Sequence, residues 1–304
     1  MTSYERDGFL ALPQRLSSTE MVILNREWRV VAEREAPDSV FESDGRTMRG
    51  RHGCHRDSSM FTKLTRLPRL LIPAAQLLGT PVYVYQFKVN CKAAFTGEAW
   101  RWHQDFIYWR EEDGMLAPRA VNVALFMDDV TEFNGPIMLI PGSHKQGVIE
   151  AAVTAPSVQS LDVAWKETVS LDLKYTLRAE VVTQLSRNAP IVAPKGPAGT
   201  VLLFHPNVAH GSVQNLSPDS RNIVMITYNS VDNLPIAHGP RRPEFLVGRD
   251  SRPLTPVSDE ALERSVAVDV GMTSLSDCVG SARDDSERGT KSANCLGEKD
   301  VESI

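Results

Sequence analysis

The sequence has few cysteines and no long hydrophobic run. Four cysteines are too sparse for a disulfide scaffold, and they form no Cys-x-x-Cys pair of a zinc finger. Apolar runs such as Thr200–Phe204 are far too short to cross a bilayer. The first residues are charged and lack the apolar centre of a secretion signal. We therefore expect a reduced, cytoplasmic protein without a membrane span.

An excess of positive charge is also missing. The net charge is −5 over 304 residues, of which 42% are hydrophobic. A mildly acidic chain has no general attraction for nucleic acid or anionic membranes, so we expect neither as a partner. The hydrophobic content is sufficient for one sizeable core, in a monomer or a homodimer.

Aromatic residues are absent after Phe245, and small polar and charged residues dominate from about Thr273. Such a composition cannot bury enough apolar surface to fold. We therefore predict one folded domain over residues 1–255 and a polar, largely disordered tail over residues 256–304.

Helical signals fill the first part of the chain, residues 1–80. Ser17 and Glu20 have the spacing of a capping box, and apolar residues recur at helical intervals after them. A second helical stretch is predicted from about 57 to 78. Between the two, residues 44–56 are rich in arginine and histidine, and we predict a basic, flexible loop there.

From Val82 the hydrophobic period changes to two, as in a β-strand. The odd positions from 83 to 89 are apolar, whereas Gln86, Lys88 and Asn90 form a polar face that could line a wet cavity. Further short runs of this kind, separated by turn residues, cover 121–127, 137–140, 200–204 and 223–229. They predict a mainly β fold with flanking helices, a jelly roll or barrel over residues 81–255. A long insertion at about 151–190 is predicted to act as a lid.

A possible metal site begins with His103 and Asp105, whose side chains point to the same side if the segment is extended. Non-haem iron(II) oxygenases hold the metal by two histidines and one carboxylate, which leaves the opposite face open for co-substrate and dioxygen. His210, after the apolar run 200–204, is the predicted third ligand. His205 is the rival and lacks a matching arginine downstream.

That arginine is Arg221, eleven residues after His210. Its guanidinium could grip the distal carboxylate of 2-oxoglutarate in a two-pronged contact, and Ser212 could add a hydroxyl. Trp109 could pack over the co-substrate, and it could equally well be an ordinary aromatic residue of the core. Gln86 could line the pocket or face solvent.

Several spaced motifs resemble the phytanoyl-CoA dioxygenase superfamily: residues 102–109, residues 134–144, and His210-Gly-Ser followed by Arg221. The chain looks most like the superfamily's bacterial hydroxylases of free amino acids, and more distantly like ectoine hydroxylase. The similarity covers roughly residues 4–255.

The resemblance implies a double-stranded β-helix, a cupin-like jelly roll with flanking helices. It implies iron(II), 2-oxoglutarate and dioxygen as cofactors, with ascorbate as a stimulant. It also implies Gln86, Trp109, Ser212 and Arg221 as co-substrate contacts. The implied reaction is hydroxylation of a small free L-amino acid: L-proline (trans, at C4), pipecolate or leucine. Asp105 favours hydroxylation, because halide-adding relatives lack this carboxylate.

A free amino acid needs a cation for its carboxylate and acceptors for its ammonium group. Arg119, Arg49 and His55 are the predicted carboxylate partners, Asp232 is predicted to face the ammonium group, and Asn90 is a further pocket contact. Two alternatives stay open. The first is a hydroxylase of another small metabolite or of a CoA thioester, which would need a basic surface. The second is a jelly-roll binding protein without catalysis.

Overall fold

The structure is a computed structural model that describes residues 3–153, 165, 173–237, 239 and 241–265. Its strands are β1 (Phe9–Leu12), β2 (Ser39–Phe41), β3 (Met48–His52), β4 (Val82–Lys92), β5 (Trp100–His103), β6 (Ala120–Phe126), β7 (Ile137–Leu139), β8 (Ala152–Val153), β9 (Tyr175–Thr176), β10 (Val201–Phe204), β11 (His210–Ser212) and β12 (Arg221–Ser230). Its helices are α1 (Ser3–Asp7), α2 (Ser18–Ala32), α3 (Ser59–Leu64), α4 (Pro68–Leu78), α5 (Asp105–Asp113) and α6 (Ala179–Asn188).

Two antiparallel sheets form the body of the protein. The major sheet has the order β1-β10-β6-β12-β4-β3-β2, and the minor sheet has the order β5-β11-β7. The apolar faces of α2, α3 and α4 pack on one side of the major sheet. On its other side Phe126 and Phe204 pack against Leu139 of the minor sheet. This double-stranded β-helix with flanking helices confirms the predicted fold class.

The predicted helices form where local signals mark their ends. Before α2, the Ser17 hydroxyl accepts from the Glu20 amide at 3.2 Å, and the Glu20 carboxylate accepts from the Ser17 amide at 2.8 Å. This reciprocal pair is the predicted capping box. The second stretch divides into α3 and α4, because Pro68 is favourable only in the first turn of a helix. It ends at Gly79, which has a φ of +67°.

The first 80 residues are not only helical, and the prediction of a basic, flexible loop over 44–56 was wrong for residues 48–52. Residues 48–52 form β3, a strand of the major sheet that pairs with β4. Arg49 lies 2.7 Å from Glu42, and Arg51 lies 3.1 Å from Asp38, in buried ion pairs. The prediction failed because arginines are typical of exposed loops. In this strand they are buried, and Glu42 and Asp38 neutralise them.

A β-bulge in β4 changes which side chains face inward. Thr227 of β12 pairs with Gln86, and the next residue, Tyr228, pairs with Val84, so Tyr85 is an extra residue. As a result Tyr85 packs with Trp109 on the inner side, the side that Gln86 also faces. Simple alternation had placed the tyrosine and the glutamine on opposite faces.

The predicted insertion is described only in part. β8 pairs with β9 and α6 follows, whereas residues 154–164 and 166–172 lie outside the described residues. Trp165 packs edge-on against Phe245 with ring centres 5.1 Å apart. The lid role of this segment stays a prediction.

The folded part of the chain extends past the predicted limit at residue 255. Leu262 is fully buried in the core against the helices, and the Val257 amide donates to the Arg66 carbonyl at 3.0 Å. Residues 266–304, the rest of the predicted tail, lie outside the described residues. Among the described residues, no helix has the length and apolarity that a bilayer crossing requires.

Candidate active site

The structure brings His103, Asp105 and His210 together. His103 ends β5, Asp105 begins α5, and His210 is the register partner of His103 on β11. One possible ligand atom from each residue lies within 4.8 Å of those of the other two. Each histidine Nε2 is 3.7 Å from an oxygen of Asp105. The rival His205 lies outside this group, with its ring 5.3 Å from that of His144.

Neighbouring groups orient all three side chains. Nδ1 of His103 lies 2.7 Å from the Arg101 carbonyl, and Nδ1 of His210 lies 3.0 Å from the Val208 carbonyl. When Nδ1 carries the proton and donates to these oxygens, the Nε2 lone pairs point to the shared centre. The Asn122 amide donates to Oδ2 of Asp105 at 2.7 Å.

The electrostatics favour the protonation states that metal ligands need. Burial, followed by the neighbouring His210, lowers the pKa of His103 to about 3, so its imidazole is neutral. Burial alone would raise the pKa of Asp105, but electrostatic interactions with His210 and Lys88 outweigh it and hold that pKa below its usual value. Two imidazoles, of which that of His103 is neutral, and one carboxylate fit the donor set of a non-haem iron(II) site.

A cavity between the two sheets opens beside the three residues and encloses about 730 Å³ together with its mouth. Its lining includes every predicted co-substrate contact and one of the predicted substrate contacts: Gln86, Trp109, Ser212, Arg221 and Asn90.

Arg221 and Ser212 present buried polar atoms that have no partner in the described part of the chain. Nη2 of Arg221 donates to the Gly135 carbonyl at 2.6 Å, whereas its Nε and the Ser212 hydroxyl are buried without a hydrogen bond. Burial lowers the pKa of Arg221 to about 10, so the guanidinium stays charged at neutral pH. Unsatisfied buried donors are costly, and a carboxylate that accepts from both would remove that cost. These residues therefore fit one end of 2-oxoglutarate.

Two cations in the cavity wall were not among the predicted site residues. Lys88 lies between Gln86 and Asn90 on the polar face of β4, so the alternation that suggested a wet cavity had already pointed to it. Burial lowers its pKa, which the Asp105 carboxylate partly offsets. Arg242 follows the strands in an irregular segment, where no hydrophobic period indicates which way a side chain faces. Its Nε donates to Asp113 at 2.8 Å.

Four predicted substrate contacts lie away from this cavity. Arg49 is paired with Glu42 and lies over the ring of Trp100, 3.8 Å from its centre. The His55 ring packs on Phe87, 5.0 Å between ring centres. Nη2 of Arg119 lies 3.8 Å from Oδ2 of Asp232 in an ion pair, and both side chains are about half exposed. None of the four lines the cavity. Spacing along the chain could not show this, because ion-pair partners and strand register decide where each side chain points.

Comparison with known proteins agrees with this site. The profile of the phytanoyl-CoA dioxygenase (PhyH) family matches residues 4–223. L-proline trans-4-hydroxylase from Streptomyces griseoviridis is 45% identical over 259 residues, which are 85% of this chain and 95% of that protein. Ectoine dioxygenase from Halomonas elongata is 35% identical, over 81% of this chain and 74% of that protein.

The crystal structure of EctD from S. alaskensis with bound Fe has a TM-score of 0.70 and 30% identity, and the match covers 84% of this chain and 85% of that chain. A second structure of EctD contains 2-oxoglutarate and 5-hydroxyectoine. Fold, site and relatives together define a non-haem iron(II)- and 2-oxoglutarate-dependent dioxygenase, a hydroxylase of a small molecule. The chain belongs to the phytanoyl-CoA dioxygenase (PhyH) family.

Proposed function

We propose that this chain hydroxylates a small free L-amino acid, with L-proline at C4 (trans) as the first candidate and pipecolate and leucine next. One observation carries the proposal. The cavity beside His103, Asp105 and His210 has, besides Arg221, two further cations in its wall, Lys88 and Arg242. A co-substrate with two carboxylates and a substrate with one carboxylate require such a set of cations.

The metal would be held by Nε2 of His103, Nε2 of His210 and the Asp105 carboxylate. Iron(II), together with 2-oxoglutarate and dioxygen, would supply the oxidant for an unactivated C–H bond, and ascorbate would keep the iron reduced. The chain's own contribution is to bind and orient the two organic molecules. Arg221 and Ser212 would pair with the distal carboxylate of 2-oxoglutarate, and Gln86 and Trp109 would contact the same molecule.

The substrate carboxylate is assigned to Lys88 and Arg242, in place of the predicted Arg119, Arg49 and His55. Arg242 is held in place by Asp113, which also accepts from the Tyr85 hydroxyl. Because this pair is almost fully buried, the guanidinium is fixed before a substrate arrives. Asn90 is the predicted contact that the cavity retains. The apolar part of the substrate would face apolar and aromatic residues of the lining, among them Trp100, Tyr108, Leu173 and Leu246.

The alternatives fit less well. A CoA thioester needs exposed cations for its phosphates, but in the arginine-rich segment 44–56 Arg49 and Arg51 lie on β3 and are paired inside the protein. A binding protein without catalysis would have no need of three oriented metal ligands beside the buried Arg221. A cytoplasmic location, a monomer or homodimer, and the absence of nucleic-acid partners stay predictions.

A screen of free amino acids tests the proposal. The protein is incubated with iron(II), 2-oxoglutarate and ascorbate, and each amino acid is followed for a gain of one oxygen in mass while succinate is measured. We expect proline, pipecolate or leucine to gain oxygen, and Asp105→Ala to abolish both products. Succinate formation with no amino acid converted would contradict the substrate class. No turnover of 2-oxoglutarate with any compound would favour the binding protein.

A further inference from the structure

A buried lysine lies directly beside the arginine assigned to the co-substrate. Lys92 of β4 is 1% exposed and is the register partner of Arg221 on β12. It is not in the cavity lining, so it does not reach a bound ligand itself. A lysine in such a place is costly to bury unless its amine is fully hydrogen-bonded.

The Lys92 amine is bonded to backbone from two segments. Nζ donates to the Val213 carbonyl at 2.6 Å, directly after Ser212, and it also donates to the Glu98 carbonyl. Burial, followed by the charges of Arg221 and Arg49, lowers the pKa of Lys92 to about 6. At neutral pH the amine is therefore mostly uncharged and has two N–H donors, which these two carbonyls satisfy.

The lysine stem also supports the turn that holds Arg221. Gly135, whose carbonyl accepts from Arg221, has a φ of +73°. A Cβ at this glycine would lie 2.7 Å from Cδ of Lys92 and 2.6 Å from the Val213 carbonyl, so all three groups are in close contact. Lys92 thus touches both the segment that carries Ser212 and the turn that fixes the guanidinium.

We propose that Lys92 is a positioning residue for the co-substrate. It holds the Ser212 hydroxyl and Nε of Arg221 so that both reach the distal carboxylate of 2-oxoglutarate. This inference rests on the proposed function, because it assumes that 2-oxoglutarate binds at Arg221. Loss of the Lys92 amine should therefore weaken binding of the co-substrate. Binding of the amino acid should not change, because its assigned cations, Lys88 and Arg242, lie elsewhere in the cavity wall.

Lys92→Met tests the inference, because it keeps the apolar stem and removes the amine. Binding of 2-oxoglutarate is measured by anaerobic calorimetry on the protein loaded with Mn(II), and turnover is measured separately with iron(II). We expect the Kd of the co-substrate to rise about 10-fold or more, as when other supporting groups of a site are removed. The KM of the amino acid and kcat at saturating 2-oxoglutarate should stay nearly unchanged. The exposed Lys145→Met, the same chemical change, should bind as the wild type does.

Lys92→Gln separates hydrogen bonding from packing, because its amide keeps two N–H donors. We expect its Kd to lie between those of the wild type and Lys92→Met. If Lys92→Met does not fold, Lys92→Gln decides alone, and its Kd must then exceed that of the wild type. Unchanged 2-oxoglutarate binding in the folded variants would overturn the role of Lys92, and so would an equal loss of affinity for the amino acid. Failure of the wild-type protein to bind 2-oxoglutarate would instead refute the proposed function.

Discussion

The side-chain amide of Asn122 donates a hydrogen bond of 2.7 Å to Oδ2 of Asp105, from β6 to the first residue of α5. The Thr227 hydroxyl of β12 donates in turn to Oδ1 of Asn122, also at 2.7 Å. All three side chains are buried. This chain of hydrogen bonds fixes the orientation of the carboxylate that we assign to iron, and it fixes which end of the Asn122 amide faces Asp105.

Removing the hydrogen bond from Thr227 to Asn122 should weaken metal binding. Thr227→Val keeps the shape of the side chain but cannot donate to Asn122, so the amide is free to turn its oxygen toward Asp105. We expect iron(II) affinity to fall about 10-fold or more, the usual effect of losing a group behind a ligand. An anaerobic iron(II) titration measures this. Thr227→Ser keeps the hydroxyl and is the control. Equal affinities in the Val and Ser variants would show that the chain does not orient Asp105.

Lys88→Met should impair amino-acid binding selectively. It removes a cation from the cavity wall, and a hydrogen bond to a charged group contributes about 1.5–3 kcal/mol. We therefore expect the KM of the amino acid to rise about 10- to 100-fold. The slow conversion of 2-oxoglutarate without substrate should continue, which an assay for succinate checks. Lys88→Arg, which keeps the charge, should raise the KM of the amino acid less. A rise confined to the KM of the co-substrate would assign Lys88 to 2-oxoglutarate instead.

Arg49→Met should destabilise the fold without a specific effect on the substrate. The variant leaves the Glu42 carboxylate buried without its cation, which costs about 3–5 kcal/mol of the free energy of unfolding. Urea unfolding measures this loss. Arg252→Met breaks the exposed pair with Asp250 and should leave the free energy of unfolding nearly unchanged, because solvent screens that pair. If Arg49→Met raised the KM of the amino acid at unchanged stability, Arg49 would be a substrate contact, as the sequence suggested.

His55 should make the protein less stable in acid. Burial, followed by the charge of Arg56, lowers its pKa from 6.5 to about 4. Between these two values the unfolded chain binds a proton that the folded chain does not, so the free energy of unfolding falls as the pH falls through this window. His55→Leu should flatten this dependence by at most about 1.4 kcal/mol per pH unit, in urea unfolding at several pH values. It should leave the KM of the amino acid unchanged. An unaltered slope would contradict this assignment.

Local sequence signals were sufficient to predict those features of the fold that depend on residues only a few positions apart. The capping box at Ser17 and the glycine after α4 each act through neighbouring backbone groups, so the start of α2 and the end of α4 could be predicted. Alternation also predicted the polar face of β4. It failed at Tyr85, because a bulge is visible only in the register between β4 and β12.

The chemistry of this protein could be predicted from its residues: the three that could hold iron, the arginine for a carboxylate, and a β fold to carry them. The β fold follows from the hydrophobic period of two, and the site residues follow from side-chain types, from the spacing of His210 and Arg221 and from the resemblance to a known superfamily. Which cations face the cavity, in contrast, depends on tertiary contacts. Arg49 is turned inward by Glu42, while Lys88 and Arg242, far apart in the chain, line the same cavity. Whether a charge meets a ligand or an ion-pair partner depends on groups that folding brings close, and no local spacing specifies them.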